Sequence, residues 1–243
     1  MYILETKNLK KSFGGVHALN DLSISFAKGK LTGIIGPNGS GKTTLVNVLT
    51  GMQAITGGAV VVGGKSLHAI RPEELPRLGI TRTFQDVRLF EQMTVGDNIM
   101  VVLTARGPYA ALTERSERKR EERVKEVLEK VGLWEKRHQL AYNLSYGQRK
   151  LLEITRVLAM DADIILLDEP FAGLFKEMVK VIVHIIGELK AAGKTVLLIE
   201  HNMDLIRELS DHVIVMDAGG LLAEGKPDAV LARHDVIEAY LGE

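Results

Sequence analysis

The segment that most constrains the fold is Gly-Pro-Asn-Gly-Ser-Gly-Lys-Thr-Thr at residues 36–44. A mainly apolar run at residues 31–35 precedes it and another at residues 45–49 follows it, which predicts a strand, a glycine-rich loop and a helix in that order. Glycines let the backbone turn tightly and direct several N–H groups toward one point, and the following helix adds the positive end of its dipole. Such a loop is suited to binding phosphate.

The segment matches the pattern G-x-x-x-x-G-K-[ST] at all four fixed positions. In this pattern the lysine, here Lys42, reaches the β- and γ-phosphates of a nucleotide, and the next hydroxyl, that of Thr43, binds Mg²⁺. The residues predicted to bind the nucleotide at this loop are Gly36, Pro37, Asn38, Gly39, Ser40, Gly41, Lys42, Thr43 and Thr44.

Composition limits the other partners. With 243 residues and 46% apolar composition, the chain can bury a sizeable core. Lys+Arg and Asp+Glu both number 31, so no net charge attracts a polyanion and nucleic acid is not expected as the main partner. There are no cysteines, which excludes disulfides and thiolate metal sites. No secretory signal is visible, and the apolar runs are far shorter than the roughly 20 residues of a membrane-spanning helix.

The pattern along the chain predicts one α/β domain with a helical insertion. Residues 2–35 contain short strand patterns, with Lys28-Gly29-Lys30 as a predicted hairpin turn. Between Val95 and about Ala159 the pattern becomes helical, and after Asp163 the α/β alternation returns. The predicted parts are a nucleotide-binding core at residues 1–86 and 161–243 and a helical subdomain at roughly 87–160.

Two carboxylates, Asp168 and Glu169, directly follow the apolar run Ile164–Leu167, which is typical of a strand buried on both faces of a parallel sheet. Open α/β sheets bind their ligands at the carboxyl ends of the strands. Asp168 is therefore predicted to hold Mg²⁺ together with Thr43, and Glu169 to polarise the water that attacks the γ-phosphate.

A second helix start is predicted at Leu144-Ser145-Tyr146-Gly147-Gln148. Ser145 and Gln148 have the spacing of a capping box, which requires no function. A capped helix start with a glycine at position 147 is also able to bind phosphate. Both interpretations remain open at this point.

The phosphate loop, Gln85, Leu144–Gln148, Asp168-Glu169-Pro170 and His201 occur in an order and spacing that resemble the ATP-binding cassette (ABC) ATPases over essentially the whole chain. The resemblance implies a P-loop NTPase (RecA-like) core with an N-terminal antiparallel β layer and an inserted α-helical subdomain. It also implies a head-to-tail dimer, in which Ser145, Gly147 and Gln148 of one subunit face ATP on the phosphate loop of another. In the family's signature segment, here Leu144–Gln148, Tyr146 replaces the usual first glycine. Tyrosine at this position resembles the branched-chain amino-acid branch of the family.

The resemblance assigns roles to three further residues. Gln85 is similar to the glutamine that senses Mg²⁺ and the attacking water; the alternative is a polar strand cap. His201 is similar to the switch histidine that contacts the γ-phosphate. Phe13 is similar to the aromatic residue that stacks on adenine, and the alternative is a role in the core.

Phe175 departs from the family pattern. After Ala172-Gly173-Leu174 the family normally carries Asp or Asn, which hydrogen-bonds across the dimer. A phenyl ring cannot make that bond, so the sequence predicts weaker coupling between two ATP sites or a repacked interface.

Thr83–Phe90, Leu198–His201 and the end Ala239–Glu243 resemble the ATP-binding subunits of branched-chain amino-acid importers. This implies ATP and Mg²⁺ as ligands, a second ABC ATPase subunit and permeases as partners, and a peripheral location on the cytoplasmic face of the inner or plasma membrane. Arg88, Leu89 and Phe90 would then dock a permease helix, unless they serve only ordinary packing. Urea transport, lipopolysaccharide transport and a non-transport ATP-dependent switch remain as alternatives.

Overall fold

The computed structural model describes residues 1–84, 87–104 and 114–241, with the backbone alone for residues 114–116 and 241. The chain divides into two compact units. The first contains Met1–Arg82, Asp163–Glu169 and Val183–Glu243, and the second contains Thr83–Ala162 and Pro170–Ile182. The phosphate loop therefore belongs to the first unit, and the Ser145–Gln148 turn belongs to the second.

The described strands are β1 (Tyr2–Phe13), β2 (Val16–Leu22), β3 (Ser25–Ala27), β4 (Leu31–Ile35), β5 (Gly57–Val62), β6 (Lys65–Leu67), β7 (Ile80–Arg82), β8 (Ile164–Asp168), β9 (Thr195–Ile199), β10 (His212–Asp217) and β11 (Gly220–Gly225). The described α-helices are α1 (Lys42–Leu49), α2 (Val95–Leu103), α3 (Glu114–Lys130), α4 (Tyr146–Ala159), α5 (Lys176–Ala191), α6 (Met203–Leu209), α7 (Pro227–Leu231) and α8 (His234–Leu241). Short 3₁₀ turns lie at Pro72–Glu74, Trp134–Lys136 and Ala141–Asn143.

The larger sheet of the first unit has the strand order β11-β10-β4-β9-β8-β7. Its ladders are parallel except for the antiparallel β10–β11 pair. Every residue of β4, β8 and β9 is buried, as expected for strands covered on both faces. In the register, Ile199 lies beside both Ile34 and Asp168, so the carboxyl ends of β4, β9 and β8 are level.

The smaller sheet is antiparallel, with the order β2-β1-β5-β6 and with β3 also paired to β1. This is the N-terminal β layer that the sequence predicts. The predicted hairpin at Lys28-Gly29-Lys30 is wrong, because β3 pairs with β1 whereas β4 belongs to the larger sheet. The turn therefore connects two sheets. Apolar side chains from both sheets and from α1, such as Phe26, Val60, Leu45 and Ile214, form one buried cluster.

The second unit is mainly helical and is built on contacts among α2, α3 and α4. The apolar stripe that the sequence places at the end of α3 is buried, with Val127 and Leu128 no more than 1% exposed. Helix α2 is capped by Thr94, whose hydroxyl accepts the N–H of Asp97. Among the described residues, no helix is both long and apolar enough to cross a membrane.

Candidate active site

The phosphate loop follows β4 and precedes α1, as predicted. Gly36, Gly39 and Gly41 have φ values of +152°, +80° and +99°, a region that L side chains rarely adopt. A Cβ on Gly36 would lie 2.1 Å from the carbonyl oxygen of Met216, and one on Gly41 would lie 2.5 Å from that of Ala18. The two fixed glycines of the motif are therefore required by both backbone conformation and space.

Lys42 is buried, and its ammonium group bonds to the backbone at the start of the phosphate loop. Nζ donates to the carbonyl oxygens of Gly36 at 2.6 Å and Pro37 at 2.9 Å. Helix α1 begins at Lys42, and its N-cap, Gly41, provides no side-chain acceptor for the first-turn N–H groups. The loop thus combines a cation with the positive end of a helix, which is a favourable site for phosphate.

Asp168 and Glu169 lie at the carboxyl end of β8, level with the end of β4. Glu169 has a φ of +48°, a conformation that costs a non-glycine residue about 1–2 kcal/mol and that is concentrated at functional sites. Its N–H donates to the carbonyl oxygen of Ile199, which holds it against the end of β9. Its Oε1 lies 3.1 Å from Nε2 of His201, so the structure brings these two predicted site residues together.

Phe13 lies at the end of β1 and is 45% exposed, so it is not part of the buried core. The ammonium of Lys11 lies 4.8 Å from the centroid of its ring. The alternative prediction that Phe13 packs in the core is therefore wrong. Its exposed ring is accessible to a ligand, and stacking on adenine stays a prediction.

The Ser145 turn forms the predicted capping box at the start of α4. The Ser145 hydroxyl accepts the N–H of Gln148 at 3.3 Å, and Oε1 of Gln148 accepts the N–H of Ser145 at 3.1 Å. At Gly147 an added Cβ would lie 2.2 Å from the sulfur of Met178. The glycine of this turn therefore permits close packing against the first turns of α5.

Gln85, predicted to sense Mg²⁺ and water, lies outside the described residues. The chain on either side of it is held by α4. The N–H of Phe84 donates to Oε1 of Glu153 at 3.0 Å, and the carbonyl oxygen of Arg88 accepts from Arg156 at 2.5 Å. The predicted docking segment is thus anchored to the helix that begins at the signature turn.

Within this predicted docking segment, Arg88 and Phe90 are exposed and Leu89 is half-buried. The guanidinium of Arg88 lies 4.3 Å from the ring centroid of Phe84, and that of Arg156 lies 5.2 Å from the ring centroid of Phe90. Cation–π contacts therefore order the segment while leaving part of it open to a partner.

Glu153 is 3% exposed, and this burial raises the pKa of its carboxyl above its ordinary value of 4.5. The N–H of Phe84, the charge of Lys150, the N–H of Arg88 and the charge of Arg156 lower this pKa but do not offset burial. Burial also lowers the pKa of Arg156.

Replacing Glu153 with glutamine is expected to flatten the pH dependence of stability. The native state binds the Glu153 proton more tightly than the unfolded chain does, so the free energy of unfolding falls as pH rises from about 4.5 through the raised pKa. Glutamine has no proton to lose and still offers an oxygen to Phe84. Urea midpoints measured from pH 4.5 to 8 should fall less steeply for Glu153→Gln than for the natural protein. Glu121→Gln, an exposed change on α3, is the control, and equal slopes for Glu153→Gln and the natural protein would contradict the expectation.

Two side chains contact this site without any local signal in the sequence. Tyr240 of α8 accepts the N–H of Gly36 through its hydroxyl at 2.5 Å. Arg82 at the end of β7 contacts Asp168, with Nη2 3.2 Å from Oδ2. Both contacts join residues that are far apart in the chain, so spacing could not reveal them.

The site has a glycine-rich loop between the buried parallel strand β4 and helix α1. Two carboxylates lie at the end of β8, level with the end of β4. This arrangement defines a P-loop nucleotide-binding ATPase. The sequence profile described as "ABC transporter" matches residues 19–172. A second profile, described as "Branched-chain amino acid ATP-binding cassette transporter", matches residues 221–243. The chain belongs to the ABC transporter family, as an ATP-binding cassette that hydrolyses ATP.

Relatives resemble the chain over its whole length. It is 38% identical over 250 residues to the high-affinity branched-chain amino acid transport ATP-binding protein LivG of Salmonella typhimurium, covering 99% of this chain and 98% of that protein. It is 38% identical over 250 residues to BraF of Pseudomonas aeruginosa, a protein with the same description, again covering 99% of this chain and 98% of that protein.

Solved structures agree with the fold. A nucleotide-free cassette from an ABC transporter superposes with a TM-score of 0.87 at 38% identity, covering all of both chains. The ADP conformation of MJ1267, also a cassette of an ABC transporter, superposes with a TM-score of 0.85 at 39% identity over all of both chains. MJ0796, a dimeric cassette bound to ADP and Pi, has a TM-score of 0.81 at 26% identity over 93% of this chain and 99% of that one. Cassettes of this family dimerise and work with membrane components.

Proposed function

We propose that this chain powers an importer of branched-chain, hydrophobic amino acids and that Glu169 and His201 carry the hydrolysis of ATP. The observation that carries the proposed hydrolytic role is the 3.1 Å contact between Glu169 Oε1 and His201 Nε2 at the ends of β8 and β9. The same end of the sheet carries the phosphate loop after β4, which supports a role for both residues in the attack on the γ-phosphate.

In this mechanism, the glycine-rich loop and Lys42 hold the phosphates of ATP. Glu169 accepts a proton from water while the water oxygen bonds to the γ-phosphorus, and the bond to the β–γ bridging oxygen breaks to give ADP and phosphate. His201 orients Glu169 and the γ-phosphate. Phe13 stacks on adenine. Gln85 senses the water, and Ser145, Gly147 and Gln148 contact the ATP of a second cassette.

The donor atoms near the loop suit Mg²⁺. The Thr43 hydroxyl and the Asp168 carboxylate are hard oxygen donors, and the described residues contain no group of three or more His, Cys, Asp or Glu able to hold a metal. Mg²⁺ in nucleotide sites is usually bound by one or two protein oxygens together with phosphate and water. When bound it neutralises the charge that develops on the phosphates.

Import of amino acids is supported by the names of the LivG and BraF relatives and by the profile matched at residues 221–243. A second cassette and two permeases complete the complex, with the chain held at the cytoplasmic face of the membrane. Arg88, Leu89 and Phe90 would receive a short permease helix. Urea and lipopolysaccharide transport are the competing assignments.

The test begins with affinity purification of the tagged chain from its native membranes in mild detergent, followed by mass spectrometry. Two polytopic permeases and a related second ATPase are expected. Uptake of radiolabelled leucine should then be lost in cells that carry Glu169→Gln, while uptake of urea is unchanged. Purification of the chain without any membrane protein would overturn the transport assignment, and loss of urea uptake alone would redirect it.

Phe175 bears directly on the coupling of two cassettes. Its ring is 79% exposed, and its carbonyl oxygen accepts the N–H groups of Met178 and Val179. Phe175 thus occupies the N-cap position of α5, where a phenyl ring offers no acceptor to the helix.

Replacing Phe175 with aspartate is expected to have two effects. The carboxylate should cap α5 and stabilise the protein by about 1 kcal/mol, which raises the Tm by about 2–4 °C. It should also increase the cooperativity of ATP hydrolysis, because the dimer regains a hydrogen-bonding group. Thermal melting and the ATP dependence of phosphate release measure the two effects separately.

Phe175→Ala is the matched control, because it removes the ring without adding a cap. If Phe175→Asp raised the Tm but left the rate and cooperativity of hydrolysis unchanged, weakened coupling at Phe175 would be refuted.

A further inference from the structure

A buried guanidinium connects Asp168, which is proposed to bind Mg²⁺, to the helix that begins with Lys42 and Thr43. Arg82, the last residue of β7, has a side chain that is 6% exposed, and the side chain of its partner Asp168 is 2% exposed. Arg82 pairs with Leu166 in the ladder, and Asp168 lies two residues further along β8 on the same face. The ion pair therefore forms across neighbouring strands, with 3.2 Å between Nη2 and Oδ2.

The other end of the guanidinium is bound to the helix that follows the phosphate loop. Nη1 of Arg82 donates to Oδ1 of Asn47 at 2.8 Å and to Oγ1 of Thr50 at 3.0 Å. The Thr50 hydroxyl donates its own proton to the carbonyl oxygen of Val46 at 2.7 Å, so it accepts from Arg82 through a lone pair. Two acceptors at the end of α1 and one on β8 therefore fix the plane of the Arg82 guanidinium.

This geometry links the two elements that carry the proposed Mg²⁺ ligands Thr43 and Asp168. Asn47 lies one helical turn after Thr43 on α1, so Arg82 holds the Thr43 helix through Nη1 and the Asp168 carboxylate through Nη2. With one oxygen bound to Arg82, the carboxylate keeps one orientation before any cation arrives. Loss of this partner would remove a contact that orients the buried carboxylate and a charge that compensates it.

We propose that Arg82 is a positioning residue that fixes Asp168 relative to helix α1 and thereby sets the affinity of the nucleotide site for Mg²⁺. The inference rests on the proposed role of Asp168 as a Mg²⁺ ligand. Groups that orient a metal ligand from behind typically contribute about 10–100-fold to metal affinity.

The experiment measures binding and not turnover. The full chain carrying Glu169→Gln is titrated with a fluorescent N-methylanthraniloyl ATP, first in EDTA and then across a range of Mg²⁺ concentrations. For Arg82→Met, affinity in EDTA should stay within about twofold, whereas the Mg²⁺ concentration that half-maximally tightens binding should rise by about 10–100-fold. Asn47→Ala should raise the same half-maximal Mg²⁺ concentration by a smaller factor.

The charge of Arg82 and its orienting effect on Asp168 predict opposite changes in Mg²⁺ affinity when Arg82 is replaced. Removing a positive charge beside Asp168 would by itself attract Mg²⁺ more strongly, whereas losing orientation weakens binding. Arg82→Lys keeps the charge but cannot reproduce the planar fork, so it too should weaken Mg²⁺ binding. Tighter or unchanged Mg²⁺ binding in Arg82→Met would overturn the proposal, and if that variant does not fold, Asn47→Ala and Arg82→Lys decide it by the same criterion.

Two controls separate the possible failures. Arg207→Met removes an exposed arginine that also pairs with aspartates, and its Mg²⁺ titration should match that of the parent. Asp168→Asn should weaken Mg²⁺ binding more than any Arg82 variant does. If Asp168→Asn has no effect, the proposed role of Asp168 fails; if it has an effect and Arg82→Met has none, only the role of Arg82 fails.

Discussion

Replacing Glu169 with glutamine is expected to abolish ATP hydrolysis while leaving ATP binding intact. Glutamine has the same shape and can still hydrogen-bond to His201, but its amide cannot accept the proton of the attacking water. A positioned general base contributes roughly 10²–10⁴-fold to the rate, so phosphate release should fall by at least about two orders of magnitude. The variant should also accumulate as an ATP-bound dimer, because hydrolysis no longer separates the cassettes.

Phosphate release, binding of fluorescent ATP and light scattering measure these three outcomes. Glu208→Gln is the control, because Glu208 is an exposed glutamate on α6 in the same unit. The Glu208→Gln variant should hydrolyse ATP at the normal rate. A loss of hydrolysis smaller than tenfold would show that Glu169 is not the base. Binding without turnover in the natural protein would instead favour a regulatory switch.

Replacing Gly36 with alanine is expected to be the most damaging small change in the phosphate loop. The new Cβ would lie 2.1 Å from the carbonyl oxygen of Met216, and a backbone atom cannot move aside as the end of a side chain can. Overpacking costs about 1–3 kcal/mol and the backbone conformation adds roughly 1–2 kcal/mol, so the free energy of unfolding should fall by about 2–5 kcal/mol. ATP binding should weaken in parallel, because the loop can accommodate the methyl group only by shifting.

Gly39→Ala provides the matched comparison. Gly39 has a φ of +80°, but an added Cβ would meet no atom within 4 Å. This variant therefore has the conformational penalty without the collision. Thermal melting and ATP binding should show a markedly smaller loss for Gly39→Ala than for Gly36→Ala, and equal losses would mean that the contact with Met216 has no importance.

Features encoded within a few neighbouring residues were predictable from the sequence. The phosphate loop, the buried strand before Asp168 and the capping box of Ser145 and Gln148 each depend on spacing that a local pattern reveals. The Lys28–Lys30 turn was predicted wrongly, because a turn pattern does not state which strands pair on either side of it.

Contacts between distant parts of the chain could not be predicted in this way. Arg82 is a charged residue at the end of a strand, and local pattern alone favours an exposed position for it. Its burial depends on three acceptors, at Asn47, Thr50 and Asp168, that only the folded sheet and helix bring together. The hydrogen bond from Gly36 to Tyr240 joins residues separated by 204 positions.

The hydrogen bond between Gly36 and Tyr240 also has a consequence for folding during synthesis of the protein. A ribosome adds Tyr240 204 residues after Gly36, and at about 5–20 residues per second the interval between them is roughly 10–40 s. Strand β10, which lies beside β4 in the sheet, is likewise synthesised long after β4. The nascent chain therefore carries its phosphate loop through that interval without the neighbours that shape it, and an emerging cassette acquires its finished nucleotide site only after Tyr240 has been added.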